Sequence, residues 1–430
     1  MKVAVLGLWH LGTVTAACTA ATGIVTVGID DDAQRVAKLA GGEPPLFEPG
    51  LAELVRAGLD AKTLSFTTDK AAVSEVDVLW VCYDTPVDDE DRADVTFVTS
   101  RIEGIFDQLK DGAIVLVSAQ LPVGSIGALE KRFSARYAER RVSFASSPEN
   151  LRLGQAIQVF QNPGRIIVGV RDDRTRSALE PLLGRFCESL IWMTVESAEM
   201  VKHALNAFLA ISITFTNEIA TICESVGADV SEVEAGLRSD PRIGQRAYVK
   251  AGPSFAGGTL ARDINFLGNL AREKHLRVPV IDGVLASNRA HGQWALNQLR
   301  RSLHPLKGKT VAVLGLAYKA GTSTLRRSTA LELVRALLKE GAKVRAFDPK
   351  VPVLPNDLAP LVVFAPDALT AAQGADALVV ATEWPEFRSL VADHLAAAMT
   401  GNIVLDASRY LAETLGANSG LKFLSVGRVA

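Results

Sequence analysis

Short β-branched runs alternate with longer stretches of helical periodicity through the first 190 residues: Val3 to Leu6, Ile24 to Ile29, Val76 to Cys82, Ile114 to Ser118, Val142 to Ala145 and Arg165 to Val170. Apolar runs separated by helices predict a parallel sheet covered on both faces. The pattern then changes. From Ser197 no glycine or proline interrupts the chain until Gly227, which predicts one long helix with Ser197 as N-cap and Glu199 in its first turn. A second helical region ends near Leu299, and a linker holding Pro305 and Gly308 leads to a fresh strand, Thr310 to Leu314, closed by Gly315. Further strands at Lys343 to Phe347, Leu361 to Phe364, Ala377 to Ala381 and Ile403 to Leu405 make the second half echo the first. The expected class is α/β, with two mainly parallel sheets joined by a long central helix. Its domains are placed at 1–196, 197–300 and 301–430.

A chain of 430 residues exceeds what one core usually supports, so several domains agree with its length. Its 46 basic and 48 acidic residues leave no broad positive field to collect nucleic acid or an anionic membrane. A small diffusible substrate is the expected partner. Cys18, Cys82, Cys187 and Cys223 lie far apart with no CxxC pair, which argues against a disulfide framework and against a metal cluster. No basic leader precedes the first strand and no uninterrupted apolar run reaches about 18 residues. The expectation is a soluble, cytoplasmic protein.

Chemistry first shows at the N-terminus. The segment Val3-Ala4-Val5-Leu6-Gly7-Leu8-Trp9-His10-Leu11-Gly12 puts a glycine-bearing turn between strand and helix, and Asp30 ends the next strand 18 residues after Gly12. This is a dinucleotide-binding arrangement. Gly7 permits the tight turn, the helix N-terminus faces a pyrophosphate, and Asp30 accepts from ribose hydroxyls, which favours NAD over a 2′-phosphorylated cofactor. Trp9 departs from the pattern, because a glycine is usual where backbone approaches the pyrophosphate. On the predicted long helix, Lys202 and Asn206 are four residues apart and share one face of an otherwise apolar run. Two long polar groups there are explained either by a snorkelling lysine and a backbone-bonded asparagine or by a reaction site.

Several separated motifs bear on that choice: Pro45-Leu46-Phe47-Glu48-Pro49-Gly50-Leu51, Thr85-Pro86 with Asp94, Pro122-Val123-Gly124, and Pro148-Glu149-Asn150-Leu151-Arg152. Others follow in order: Lys202 with Asn206, Arg242-Ile243-Gly244, Gly257-Gly258 before Asp263, Gly315-Leu316-Ala317-Tyr318-Lys319, Arg326 with Ser328, Asp348-Pro349, and Thr382-Glu383-Trp384. Along nearly its whole length the chain resembles the UDP-glucose/GDP-mannose dehydrogenases. The resemblance implies two Rossmann-like domains, NAD as cofactor, a nucleotide-sugar substrate and a homodimer built on the central helix. It implies that Lys202 and Asn206 hold a water and stabilise negative charge on the sugar oxygen, with Glu149 and Asp263 in proton transfer and water positioning. Cofactor contacts fall to Gly7, His10, Leu11, Gly12, Asp30, Arg35, Thr85, Gln120 and Arg326. Substrate contacts fall to Leu151, Arg152, Arg242, Tyr248, Phe255, Gly257 and Lys319, with Arg242 entering the partner subunit's site.

The match breaks at the reacting centre. Family members trap an aldehyde on a cysteine, where this chain reads Phe255-Ala256-Gly257-Gly258-Thr259-Leu260-Ala261-Arg262-Asp263, with Thr259 in the nucleophile's place and Arg262 in that of a lysine. A thiol near pKa 8.5 yields some thiolate at neutral pH, whereas an unactivated threonine hydroxyl yields essentially none. Cys223 is no substitute, since it lies about 25 Å along the helix from Asn206 at ~1.5 Å per residue. Gln120 and Leu153 replace a threonine and a glutamate expected to position water or sugar. Ser323-Thr324 and Asp406-Ala407-Ser408 also depart from the family pattern. The expected activity is NAD-dependent oxidation of an alcohol on a nucleotide-linked sugar, stopping at aldehyde or ketone. The alternatives are full oxidation to a uronic acid without a thioester, and a non-catalytic nucleotide-binding paralogue.

Overall fold

A computed structural model describes residues 1–88, 93–149, 151–256, 258–416 and 420–428. The chain forms two compact units, Met1–Leu205 and Asn206–Ala430. In the first, strands β1 (Lys2–Leu6), β2 (Val25–Ile29), β3 (Leu64–Thr67), β4 (Val78–Val81), β5 (Ile114–Val117), β6 (Ser143–Ser146), β7 (Ile166–Gly169) and β8 (Leu190–Met193) make one sheet. Their spatial order is β3-β2-β1-β4-β5-β6-β7-β8. All neighbours run parallel except β6 and β7, which meet antiparallel at Ser146 and Gly169. The period of two along each strand divides the core. Val3 and Val5 join the apolar cluster on one face with Leu11, Val14 and Leu51, while Ala4 and Leu6 join the other with Val98, Ile102 and Phe133.

The second unit repeats the scheme. Strands β9 (Thr310–Leu314), β10 (Lys343–Phe347), β11 (Val362–Phe364), β12 (Ala377–Val380), β13 (Ile403–Asp406) and β14 (Lys422–Leu424) lie in the order β11-β10-β9-β12-β13-β14, all parallel. Numbered within each unit, both sheets therefore contain the 3-2-1-4-5-6 order, whose reversal beside the first strand opens a ligand crevice at the strand C-termini.

The long helix runs Val195–Val226 and stops at Gly227, whose φ of +80° a residue with a side chain rarely adopts. Its start differs from the sequence reading. Thr194 is the cap, its hydroxyl accepting from Ser197 N–H at 3.4 Å and its carbonyl accepting from Ala198 N–H at 3.0 Å. Ser197 is therefore inside the first turn. Glu199 instead caps another helix, Ser125–Arg136, accepting from the N–H groups of Gly124 at 2.7 Å and Ile126 at 3.1 Å. In the second unit, Ala207 and Ala210 pack the long helix against Ile264 and Val284.

Strands β3, β8 and β14 were not expected from the sequence. They hold three or four residues each, and β3, β8 and β14 all occupy sheet edges where apolar patterning is weak.

Candidate active site

The first glycine loop is built by steric need. Gly7 has φ +90°, and a Cβ there would sit 2.5 Å from the Tyr83 ring. At Gly12 a Cβ would lie 1.7 Å from the Gly7 carbonyl oxygen, so only glycine lets the helix His10–Ala21 pack on its own loop. Trp9 needs no such freedom. Its φ is −74°, and its side chain turns outward, 43% exposed, with the Arg35 guanidinium 5.3 Å from the ring. No side chain caps this helix, so its first N–H groups are available to an anion.

Asp30 is buried at the end of β2. Its Oδ2 accepts from Leu8 N–H at 2.6 Å, and its Oδ1 accepts from Asp32 N–H at 2.9 Å and from Arg35 at 2.8 Å. That leaves Oδ2 a lone pair for a ribose hydroxyl. Beside it opens a cavity of about 550 Å³, lined by Trp9, Asp30, Tyr83, Pro86, Phe97 and Arg101 among others. Arg101 stacks on Phe97 with 3.6 Å between guanidinium carbon and ring centroid. Thr85 is buried and donates to the Gln120 carbonyl at 2.6 Å, so two of the expected cofactor residues hold each other. Leu11 is buried below the loop, and His10 bonds Glu48. The conformation, close packing, uncapped helix and acid all fit a dinucleotide. Arg326 lies in the second unit, exposed in the turn before the Ser328-capped helix Thr329–Lys339.

In the first unit, Lys202 and Glu149 come together. The ammonium donates to the Glu149 carbonyl at 2.6 Å and lies 3.7 Å from its Oε1, with the lysine side chain 12% exposed. Glu149 Oε2 accepts from Leu151 N–H at 2.5 Å, which sets the loop carrying Leu151 and the exposed Arg152. Next to this pair is a chamber of about 20 Å³, the size of one water, lined by Ser118, Gln120, Ser146, Glu149, Lys202 and His203 among others. His203 is buried with its ring Nε2 2.9 Å from the Leu121 carbonyl. The sequence reading overlooked it, although its place beside Lys202 on an apolar helix was a signal.

In the second unit, Asn206 donates to Asp263 Oδ2 and both side chains are buried. Asp263 lies one turn into the helix Thr259–Glu273, whose first residue, Thr259, is exposed. The segment before it is clasped by Asn288, which accepts from Phe255 N–H at 2.9 Å and donates to its carbonyl at 3.0 Å. Gly257 and Asn150 lie outside the described residues. Arg242 is held by Asp240 at 2.6 Å with its side chain 88% exposed, and Tyr248 and Lys319 are also exposed, the lysine beside the Tyr318 ring.

All four cysteines are buried. Burial pushes the Cys18 thiol up to about 12 and raises that of Cys82 as well, so neither supplies a thiolate.

The UDP-glucose/GDP-mannose dehydrogenase family is matched in three parts: its NAD binding domain over residues 1–187, its central domain over 196–290 and its UDP binding domain over 312–413. Over its whole length the chain is 33% identical to the UDP-glucose 6-dehydrogenase TuaD of Bacillus subtilis, covering 94% of that protein. It is 34% identical to a UDP-glucose 6-dehydrogenase of Rhizobium meliloti, with 100% of both chains covered. A solved UDP-glucose dehydrogenase from the archaeon Pyrobaculum islandicum aligns at TM-score 0.86 and 29% identity, covering 100% of this chain and 98% of that one. The resemblance read from the motifs is borne out: the chain belongs to the UDP-glucose/GDP-mannose dehydrogenase family and is an NAD-dependent oxidoreductase acting on a CH–OH group of a nucleotide sugar.

Proposed function

We propose that this enzyme oxidises an alcohol on a UDP-linked sugar without a covalent intermediate, and that its product leaves as the carbonyl compound. The observation that carries this reading is the Lys202 ammonium, 12% exposed and bonded to the Glu149 carbonyl, and the motif reading that sets Thr259 in the nucleophile's place supports it. Bound NAD supplies the hydride acceptor. Lys202 stabilises the negative charge that develops on the sugar oxygen, and Glu149 takes the hydroxyl proton. One turn further along the same helix, Asn206 donates to Asp263, and both side chains are buried. One alcohol and one NAD⁺ give one carbonyl, one NADH and one proton. Thr259 is exposed, and among the described residues no base bonds its hydroxyl.

A second reading is favoured by the relatives, which are named 6-dehydrogenases. In it the aldehyde adds water, and the hydrate gives up a second hydride to a second NAD⁺, ending at the acid. The test is to count NADH formed per UDP-glucose consumed, with hydroxylamine present to trap a carbonyl. One NADH and a trapped oxime support the first reading; two NADH and an acid support the second. Under either, Thr259→Ala keeps most activity. A covalent ester on Thr259, found by mass spectrometry after quenching, overturns both.

The homodimer belongs to the same proposal. Phe208, Phe215 and Ile222 repeat every seventh position on the long helix and are 65%, 47% and 57% exposed. Such a stripe on one face fits a second copy of the helix. Arg242, with its side chain 88% exposed, is free of its own subunit's core and suited to reach a partner's substrate.

A further inference from the structure

Glu48 is a buried carboxylate that no step above uses. It is 4% exposed and stands in the 44–50 loop, yet its two oxygens serve two other segments of the same unit. Oε2 lies 2.9 Å from His10 Nε2 and accepts from Gly154 N–H at 2.9 Å, while Oε1 accepts from Ala156 N–H at 2.8 Å. His10 is the first residue of the dinucleotide helix His10–Ala21. Gly154 and Ala156 close the loop that begins at Glu149 and start the helix Ala156–Gln161.

Burial alone would raise the Glu48 carboxyl, but the two backbone N–H groups and His10 outweigh it and hold the group below the ordinary carboxylate range. It is therefore ionised at neutral pH. An ionised carboxylate only accepts, so His10 Nε2 carries the hydrogen in this bond. Apolar packing reinforces the link, since Leu51 behind Glu48, Leu11 and Val14 of the dinucleotide helix, and Leu151, Ala156 and Ile157 belong to one cluster.

Glu149 on one side and residues 151–154 on the other are thus each pinned. Lys202 holds the first through the Glu149 carbonyl, and Glu48 holds the second at Gly154. Any displacement of the first turn of the dinucleotide helix is passed through His10 to residues 151–154. Two segments joined by one charge-assisted triad in a dry site move together more readily than apart.

We propose that His10 and Glu48 are positioning residues that couple cofactor binding to nucleotide-sugar binding, so that each ligand tightens the other. The proposal rests on the reading that the loop of Leu151 and Arg152 meets the substrate.

NADH is the probe, because its ternary complex with UDP-glucose does not turn over. Titrated by NADH fluorescence, the wild type binds NADH at least about five-fold more tightly in saturating UDP-glucose, the lower end of ordinary coupling. His10→Ala removes the donor while sparing the bonds from Gly154 and Ala156, and it reduces that ratio to less than about two-fold. His10→Gln restores a side-chain donor and recovers most of the ratio. Glu48→Gln removes the charge and replaces one acceptor oxygen with an NH2 donor, so the three donors no longer all find an acceptor, and the ratio falls to less than about two-fold. Should Glu48→Gln not fold, the His10 pair alone decides. A purely structural role predicts a lower Tm for His10→Ala with the wild-type ratio intact, and that result overturns the proposal. So does a wild type in which UDP-glucose leaves NADH affinity unchanged. Arg152→Ala tests the underlying reading separately: if it leaves UDP-glucose affinity intact, the loop assignment fails whatever the His10 variants do.

Discussion

Lys202→Met removes one charge and keeps the length of the aliphatic stem, so it isolates the ammonium's electrostatic contribution. A unit charge about 4 Å from a fully formed alkoxide, at an effective dielectric of about 20, is worth about 4 kcal/mol. Only part of that charge has developed in the transition state, which lowers the figure to roughly 2–4 kcal/mol and predicts a loss of roughly 30- to 1,000-fold in kcat. The structure argues for the upper half of this range. The lysine side chain is 12% exposed, so water replaces it poorly, and its bond to the Glu149 carbonyl keeps it from swinging away. The assay follows NADH absorbance at saturating NAD and UDP-glucose, with UDP-glucose affinity measured separately by calorimetry. Folding is checked by Tm. A folded Lys202→Met enzyme whose kcat stays within about five-fold of wild type would refute the role assigned to Lys202.

Three further outcomes follow from particular contacts. Gly12→Ala places a methyl 1.7 Å from the Gly7 carbonyl oxygen and forces helix and loop apart. NADH affinity measured by fluorescence falls at least about 100-fold, with about 1–3 kcal/mol lost in stability. Phe215→Glu puts a charge in the middle of the exposed stripe at 208, 215 and 222, and under the proposed dimer light scattering gives a lower mass for it than for the wild type; equal masses would remove the basis for that dimer. Glu48 sets part of the acid limb of stability. Its carboxyl is held below the ordinary value of 4.5, so it stabilises the fold above that pH, and the contribution is lost as pH falls through the folded value. The Tm of the wild type therefore drops more steeply than that of Glu48→Gln as the pH falls from about 5 through and below the ordinary value of 4.5.

The elements that sequence reveals most clearly are those whose burial is complete. Val3 to Leu6 and Val311 to Leu314 are apolar and buried on both sheet faces, and a central strand suits such runs. Edge strands carry less of this signal. Leu190 to Met193 are all partly exposed in β8, and their period is no clearer than that of a loop. The long helix was legible from its uninterrupted composition, but its first turn was not, because Thr194, Ser197 and Glu199 are all reasonable capping residues. Geometry alone separates them. Glu199 reaches a different helix, and no local pattern encodes a partner 75 residues away. The same holds at the site. Lys202 and Asn206 stand out as polar groups on an apolar helix, whereas Glu48 stood in a quoted motif without a role, since its partners lie 38, 106 and 108 residues away.

The two glycine loops show why a motif must be read with its hydrogen bonds. Both follow a first strand, both have a glycine with φ near +90°, and each is paired with an aspartate just after the second strand, Asp30 in one unit and Asp348 in the other. By sequence alone either could receive a ribose. Asp348, however, has no capacity left: Oδ2 takes Leu316 N–H at 2.6 Å, Ala317 N–H at 2.9 Å and the Trp384 indole at 3.0 Å, and Oδ1 takes Lys350 N–H at 2.9 Å and Val351 N–H at 3.1 Å. Five donors saturate the carboxylate's roughly four lone-pair sites. Asp30 receives three and keeps one site open. The same fold therefore leaves an acceptor site open on the aspartate of one unit and none on that of the other. The difference lies at Oδ2, which accepts a single backbone N–H in Asp30 but two backbone N–H groups and the Trp384 indole in Asp348.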